Sequence, residues 1–150
     1  MRIKLILIGL VTALIGTSCE NGNEVKISKN NSNESHNMGK NCMSCHIKGS
    51  DGEGWFTVAG TVYDSASTTT NPNGSVKLYT GANGSGSLVA TIEVDQHGNF
   101  YTTENIDLSA GVYPVVTSEN GSMQYMPNAV NTGQCNSCHG VINPKIYVNE

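Results

Sequence analysis

Leu88-Val89-Ala90-Thr91-Ile92-Glu93-Val94 is the stretch that decides the fold class. Leu88, Ala90, Ile92 and Val94 alternate with Val89, Thr91 and Glu93. A period of two sends successive side chains to opposite faces of a strand, so one face is expected to be buried. Working outward, comparable short runs occupy residues 57–63, 75–79, 100–103, 112–117, 123–126 and 145–148. Asn73-Gly74, Asn83-Gly84, His97-Gly98 and Asn120-Gly121 punctuate them with residues that tolerate the positive φ of tight turns. From Phe56 onward no window of helical periodicity competes. Pro114 cannot donate to a ladder and suggests that its strand lies at an edge. Seven or so short strands in about ninety residues predict an all-β fold, a single antiparallel sandwich. A chain of 150 residues has room for one such core.

Four pieces follow in order: Val58-Ala59-Gly60-Thr61-Val62-Tyr63-Asp64, Gly74-Ser75-Val76-Lys77-Leu78-Tyr79, Asp95-Gln96-His97-Gly98-Asn99-Phe100, and Leu108-Ser109-Ala110-Gly111-Val112-Tyr113. Together, over residues 56–117, they resemble the carboxypeptidase regulatory-like, transthyretin-type β-sandwich. That family is a scaffold, so the resemblance implies a fold and leaves the chemistry to the flanks.

Residues 1–18 have the three parts of a secretory leader: Arg2 and Lys4, an apolar run over 5–15, and the small residues Gly16, Thr17 and Ser18. The run is too short to span a bilayer. Cys19 stands where a lipobox places its lipidated cysteine, with Gly16 where Leu or Val is commoner. Acyl chains on Cys19 would anchor the protein to a membrane. Residues 20–35 are rich in Asn, Ser, Lys and Glu, with only Val25 and Ile27 apolar, and are expected to be a solvated tether. Three segments are thus expected: leader 1–18, lipidated tether 19–35 and sandwich 36–150. The location implied is a bacterial cell envelope, by lipid anchor, on the outer membrane facing the periplasm or the cell surface. Loss of the leader leaves six basic side chains against twelve acidic ones, a formal charge of −6, which disfavours a nucleic-acid partner.

The four remaining cysteines fall in Cys42-Met43-Ser44-Cys45-His46 and Cys135-Asn136-Ser137-Cys138-His139. Each matches the signature of covalent c-type haem attachment. Two thiols three positions apart can add across the two vinyl groups of one porphyrin, and the following histidine can ligate its iron. Two haems c are therefore expected, held by Cys42, Cys45 and His46 and by Cys135, Cys138 and His139. The attachment loops would lie before the first strand and before the last. On an immunoglobulin-like and transthyretin-like strand order these loops come to one end of the sandwich, as neighbours. Four cysteines drawn together also suit one Zn²⁺ in a tetrahedral site of four thiolates. A thioredoxin-like dithiol lacks its βαβ context, and a disulfide within each pair is the purely structural alternative. The histidine after both pairs, combined with export, favours haem.

Sixth ligands are open. His36, in Ser35-His36-Asn37-Met38-Gly39-Lys40, has no core to explain it and is a candidate axial ligand; which haem it would serve is not fixed. His97 reads as a turn residue. Met126, with Met123 beside it, is a weaker axial candidate, since both suit packing in a strand.

Over residues 36–148 the chain resembles small dihaem lipoproteins that carry a haem motif on each side of this sandwich. In that resemblance His36, Asn37 and Gly39 belong to the lead-in of the first motif. The function implied is a membrane-tethered electron carrier passing electrons between envelope redox proteins. A zinc-binding module and a haem-dependent redox enzyme such as a peroxidase are the alternatives, the latter weakened by the absence of a helical haem domain.

Overall fold

Strands form where the alternation predicts them. The computed structural model describes residues 23–149; the leader and Cys19 lie outside the described residues. The strands are β1 (Val58–Tyr63), β2 (Ser75–Gly81), β3 (Ser85–Glu93), β4 (Asn99–Thr102), β5 (Tyr113–Thr117), β6 (Met123–Tyr125) and β7 (Ile146–Tyr147). They form two sheets, β4-β1-β7 and β3-β2-β5-β6, in an all-β sandwich of immunoglobulin-like and transthyretin-like type. Asn73, Asn83, Gly84, Gly98 and Gly121 all take positive φ in the expected turns.

Ten residues form the core between the sheets, among them Val58 and Val62 of β1, Val76 and Leu78 of β2, Ile92 of β3, Phe100 of β4 and Val116 of β5. On the stretch 88–94 only the second half meets the expectation. Ile92 and Val94 are buried, whereas Leu88 is 53% exposed at the far end of the β2–β3 hairpin.

Two details of pairing differ from the sequence reading. The sandwich is not antiparallel throughout, because β7 joins β1 in parallel through Val62↔Ile146 and Tyr63↔Tyr147. The cause lies upstream: the Ala59 N–H donates to the Gly133 carbonyl, and Ala59 bridges Gln134 in parallel, so the chain already runs along β1 in that direction. Nor does Pro114 mark an edge, since β5 lies between β2 and β6. The Pro114 carbonyl accepts from the Met126 N–H, so the absent donor also faces β6, just past its end at Tyr125. One bond is lost at the end of a ladder and none inside it.

Residues 23–35, expected to be a solvated tether, are instead docked. Ile27 bridges Thr102 of β4, and Lys26 and Thr103 exchange backbone and side-chain hydrogen bonds. Ser28, fully buried, donates to the Glu93 carbonyl at 2.6 Å, and the Gln96 N–H donates to Ser32. Asn23 and Trp55 bond reciprocally at 2.7 and 2.8 Å. Polar contacts hold this strap against β4, the end of β3 and the loop at Trp55, which is why low hydrophobicity did not leave it free.

Every residue of β1 is buried. One face belongs to the core; the other carries Thr61, over which residues 36–41 fold. β1 is therefore the platform on which both cysteine motifs rest.

Candidate functional site

The two motifs are built alike. In the first, Cys42–Ser44 is a 3-10 turn, the His46 N–H donates to the Cys42 carbonyl at 3.0 Å, and the Ser44 hydroxyl donates to the Asn41 carbonyl at 2.8 Å. In the second, helix α1 (Cys135–Cys138) places the His139 N–H on the Cys135 carbonyl at 3.0 Å and the Ser137 hydroxyl on the Gln134 carbonyl at 2.6 Å. One helical turn puts residues three apart on the same side, so each pair of thiols shares a face with its histidine following.

The histidine rings are oriented in the same way. His46 Nδ1 lies 2.9 Å from the Glu53 carbonyl, and His139 Nδ1 lies 2.7 Å from the Pro144 carbonyl. A carbonyl oxygen can only accept, so each Nδ1 is the donor, and in the neutral ring Nε2 keeps its lone pair. This is the arrangement by which a backbone carbonyl fixes the tautomer of a metal-ligating imidazole. His97 makes the same kind of bond to Ser35, at 2.8 Å, and so secures the lead-in to the first motif.

A buried polar network joins the motifs across β1. Asn136 donates to the Lys40 carbonyl at 2.9 Å and to Thr61 Oγ1 at 3.0 Å, and its Oδ1 accepts from the Thr61 N–H at 3.2 Å. Thr61 Oγ1 in turn accepts from the Gly39 N–H and donates to Asn99. The residues before the two first cysteines also meet, Asn41 donating to Gln134 at 3.2 Å. The motifs are neighbours, as strand order implied, but along the flank of β1 and not at one end of the sandwich. Gly60 leaves space for this approach: a Cβ there would lie 2.5 Å from the Phe100 ring and 3.0 Å from the Cys135 Cβ.

Each motif opens on a cleft of its own. The first, of about 600 Å³, is lined by Cys42, Cys45 and His46 together with His36, Phe56 and Tyr101. The second, of about 310 Å³, is lined by Cys135, Cys138 and His139, with Met126, Tyr125 and the core residues Leu78 and Phe100. Both fall in the range of small-molecule sites, about 300–1,000 Å³. A smaller groove brings Met38 beside His139. Met123 is half exposed and accepts from its neighbour Tyr125. His36 faces His46 with ring centroids 6.0 Å apart and ring planes 40° from parallel. Behind His46 the Phe56 ring stacks at 4.2 Å, and Tyr101 stacks on Phe56 at 4.8 Å.

Two of the four thiols are shifted away from the range of a reactive dithiol. Burial pushes Cys42 up, and burial, with smaller additions from Cys42 and Cys138, pushes Cys135 up to about 12. Attack by a dithiol needs a lowered value. Cys42 and Cys45 line one cleft and Cys135 and Cys138 the other; among the described residues no three His, Cys, Asp or Glu side chains gather in a group able to hold one metal ion. Nor, among them, is any helix long and apolar enough to cross a membrane.

Sequence reasoning did not find Asn136, Phe56, Tyr101 or the carbonyls of Glu53 and Pro144. Only Asn136 left a signal, as an amide side chain inside a motif that does not itself require one. Comparison of the chain with protein-family models, characterised proteins and solved structures returned no match.

Proposed function

We propose that each cleft takes one covalently attached haem c and that the chain is a dihaem electron carrier, held at a membrane of the bacterial envelope by a lipidated Cys19. The observation that carries this reading is the pair of Nδ1–H bonds from His46 and His139 to backbone carbonyls, each beside two thiols on one helical turn. Bound haem iron supplies one-electron redox chemistry. The chain's own residues do the rest. Cys42 and Cys45, and Cys135 and Cys138, supply the thioether sulfurs; His46 and His139 present Nε2; the Glu53 and Pro144 carbonyls hold the rings and raise their basicity.

The residues fit the group. Aromatic Phe56 and Tyr101 on one side, and the apolar floor of Leu78 and Phe100 on the other, give each cleft a wall for a flat ligand. The adjoining motifs would keep two haems close enough for electrons to pass between them. Both clefts open to the surface, where envelope redox proteins would exchange electrons with them.

Expression of the full chain in a host that matures c-type cytochromes tests the reading. Haem staining after denaturing electrophoresis and a pyridine haemochrome assay should count two haems per chain, falling to one in Cys42→Ala and to one in Cys135→Ala. Colourless protein carrying a single zinc would overturn it.

A further inference from the structure

The two sites differ most in what faces the motif histidine. With metal–nitrogen bonds of about 2 Å on each side, two imidazoles on opposite sides of one metal have ring centroids roughly 6 Å apart. His36 and His46 stand at 6.0 Å, inside one cleft that also holds Cys42 and Cys45. His36 is positioned by its backbone: Asn99 Nδ2 donates to the His36 carbonyl at 3.2 Å and to the Ser35 hydroxyl at 2.9 Å, while His97 holds the Ser35 carbonyl. Asn37 follows with φ at 55°, and Gly39 is tied to Thr61. The ring itself makes no hydrogen bond among the described residues. Opposite His139 the chemistry is different. No second imidazole lines either cleft that His139 enters, whereas the thioethers of Met126 and Met38 each line one.

We infer that the two haem sites are inequivalent, with His36 as the sixth ligand of the first, giving it histidine–histidine ligation that the second lacks. The inference rests on the haem reading proposed above. A second histidine lowers the reduction potential relative to a thioether or an open position, so the first haem is the lower-potential member of the pair.

The test uses the full-length dihaem protein. In the ferric wild type, electron paramagnetic resonance and near-infrared magnetic circular dichroism should show a histidine–histidine low-spin haem as one of the two. His36→Ala should convert that haem alone to high spin, leave the count at two haems per chain, and recover the low-spin signal on addition of imidazole. His36→Met, which keeps a ligating side chain, should retain six-coordination at the first haem and raise the potential of that haem only. A two-haem His36→Ala protein with the wild-type spectra unchanged and no response to imidazole would overturn the assignment while leaving the carrier reading intact. Absence of haem from the wild type would overturn the carrier reading itself, and the two failures are separated by the haem count.

Discussion

The first and second clefts share a motif and a tautomer but not a floor. The first is assembled outside the sandwich, from the lead-in 36–41, the loop that returns from Gly52 to Phe56, and the edge of β4; its rim carries Lys26, Glu34, Asp51 and Glu53. The second is let into the sandwich, and Val76, Leu78, Phe100 and Val116 line it while also forming the core. The same five-residue pattern is thus mounted once on polar loop structure and once on the hydrophobic core. Changes to the second cleft should therefore be felt as stability, and changes to the first chiefly as altered site properties.

Phe100→Ala is the strongest way to break this contrast. Phe100 is 1% exposed and touches both core and second cleft, so truncation should cost about 3–5 kcal/mol in chemical denaturation. A cost as small as that of a surface change would mean that the second cleft does not rest on the core.

Next comes the position after the first cysteine of each motif. Asn136→Leu strips the Thr61 N–H and the Lys40 carbonyl of their buried partner and should cost about 1–3 kcal/mol. The equivalent Met43→Leu replaces one apolar side chain by another of similar volume and should cost less than about 1.5 kcal/mol. Equal losses would show that the network across β1 does not distinguish the motifs.

Phe56→Leu removes the ring stacked on His46 at 4.2 Å. The expected loss is about 0.5–1.5 kcal/mol beyond the change in buried area. With the haems proposed above in place, its sharper readout would be spectroscopic, a change confined to the first site with the second site's signals unmoved.

The smallest effect belongs to Glu53→Gln at the rim of the first cleft. The hydrogen bond and charge of Lys26, 2.7 Å away, hold the Glu53 carboxyl below its usual value, and Glu53 holds Lys26 above its own. The carboxylate's contribution is present above its unfolded value and fades as pH falls through the lowered native one. The ammonium's contribution is present below its unfolded value and fades as pH rises through the raised native one. Wild type and variant should therefore differ in melting temperature near neutral pH at low salt, and converge in acid, in strong base and in high salt, because both side chains meet solvent.

Much of this architecture was legible because it is local. Alternation placed all seven strands, and Cys-x-x-Cys-His placed both motifs, since three-residue spacing is a property of one turn. His36 stood out as a polar residue with no core to serve. What was not legible depends on residues far apart. The direction of β7 is set by Gly133 lying on β1, and Pro114 is accommodated because β6 ends where it does. Phe56 and Tyr101 are brought behind His46 by β4 pairing with β1. The two carbonyls that orient the motif histidines belong to residues 5 and 7 positions downstream, and a backbone acceptor has no side-chain code. The docked strap was hidden for a related reason: its hold is hydrogen bonding, and its apolar Val25 is 72% exposed.

That strap would set the mechanical relation between a lipid anchor at Cys19, as proposed above, and the domain. Asn23 is clamped to Trp55, and Cys19 is four residues earlier, so whatever path the chain takes between them it can reach no more than about 14 Å. A lipid at Cys19 would then act as a short leash on one fixed point of the surface, close to the strap residue Lys26 at the first cleft's rim. It would limit how the domain can turn relative to the bilayer far more than how far it can stray, so that the first cleft would work within reach of membrane-embedded partners.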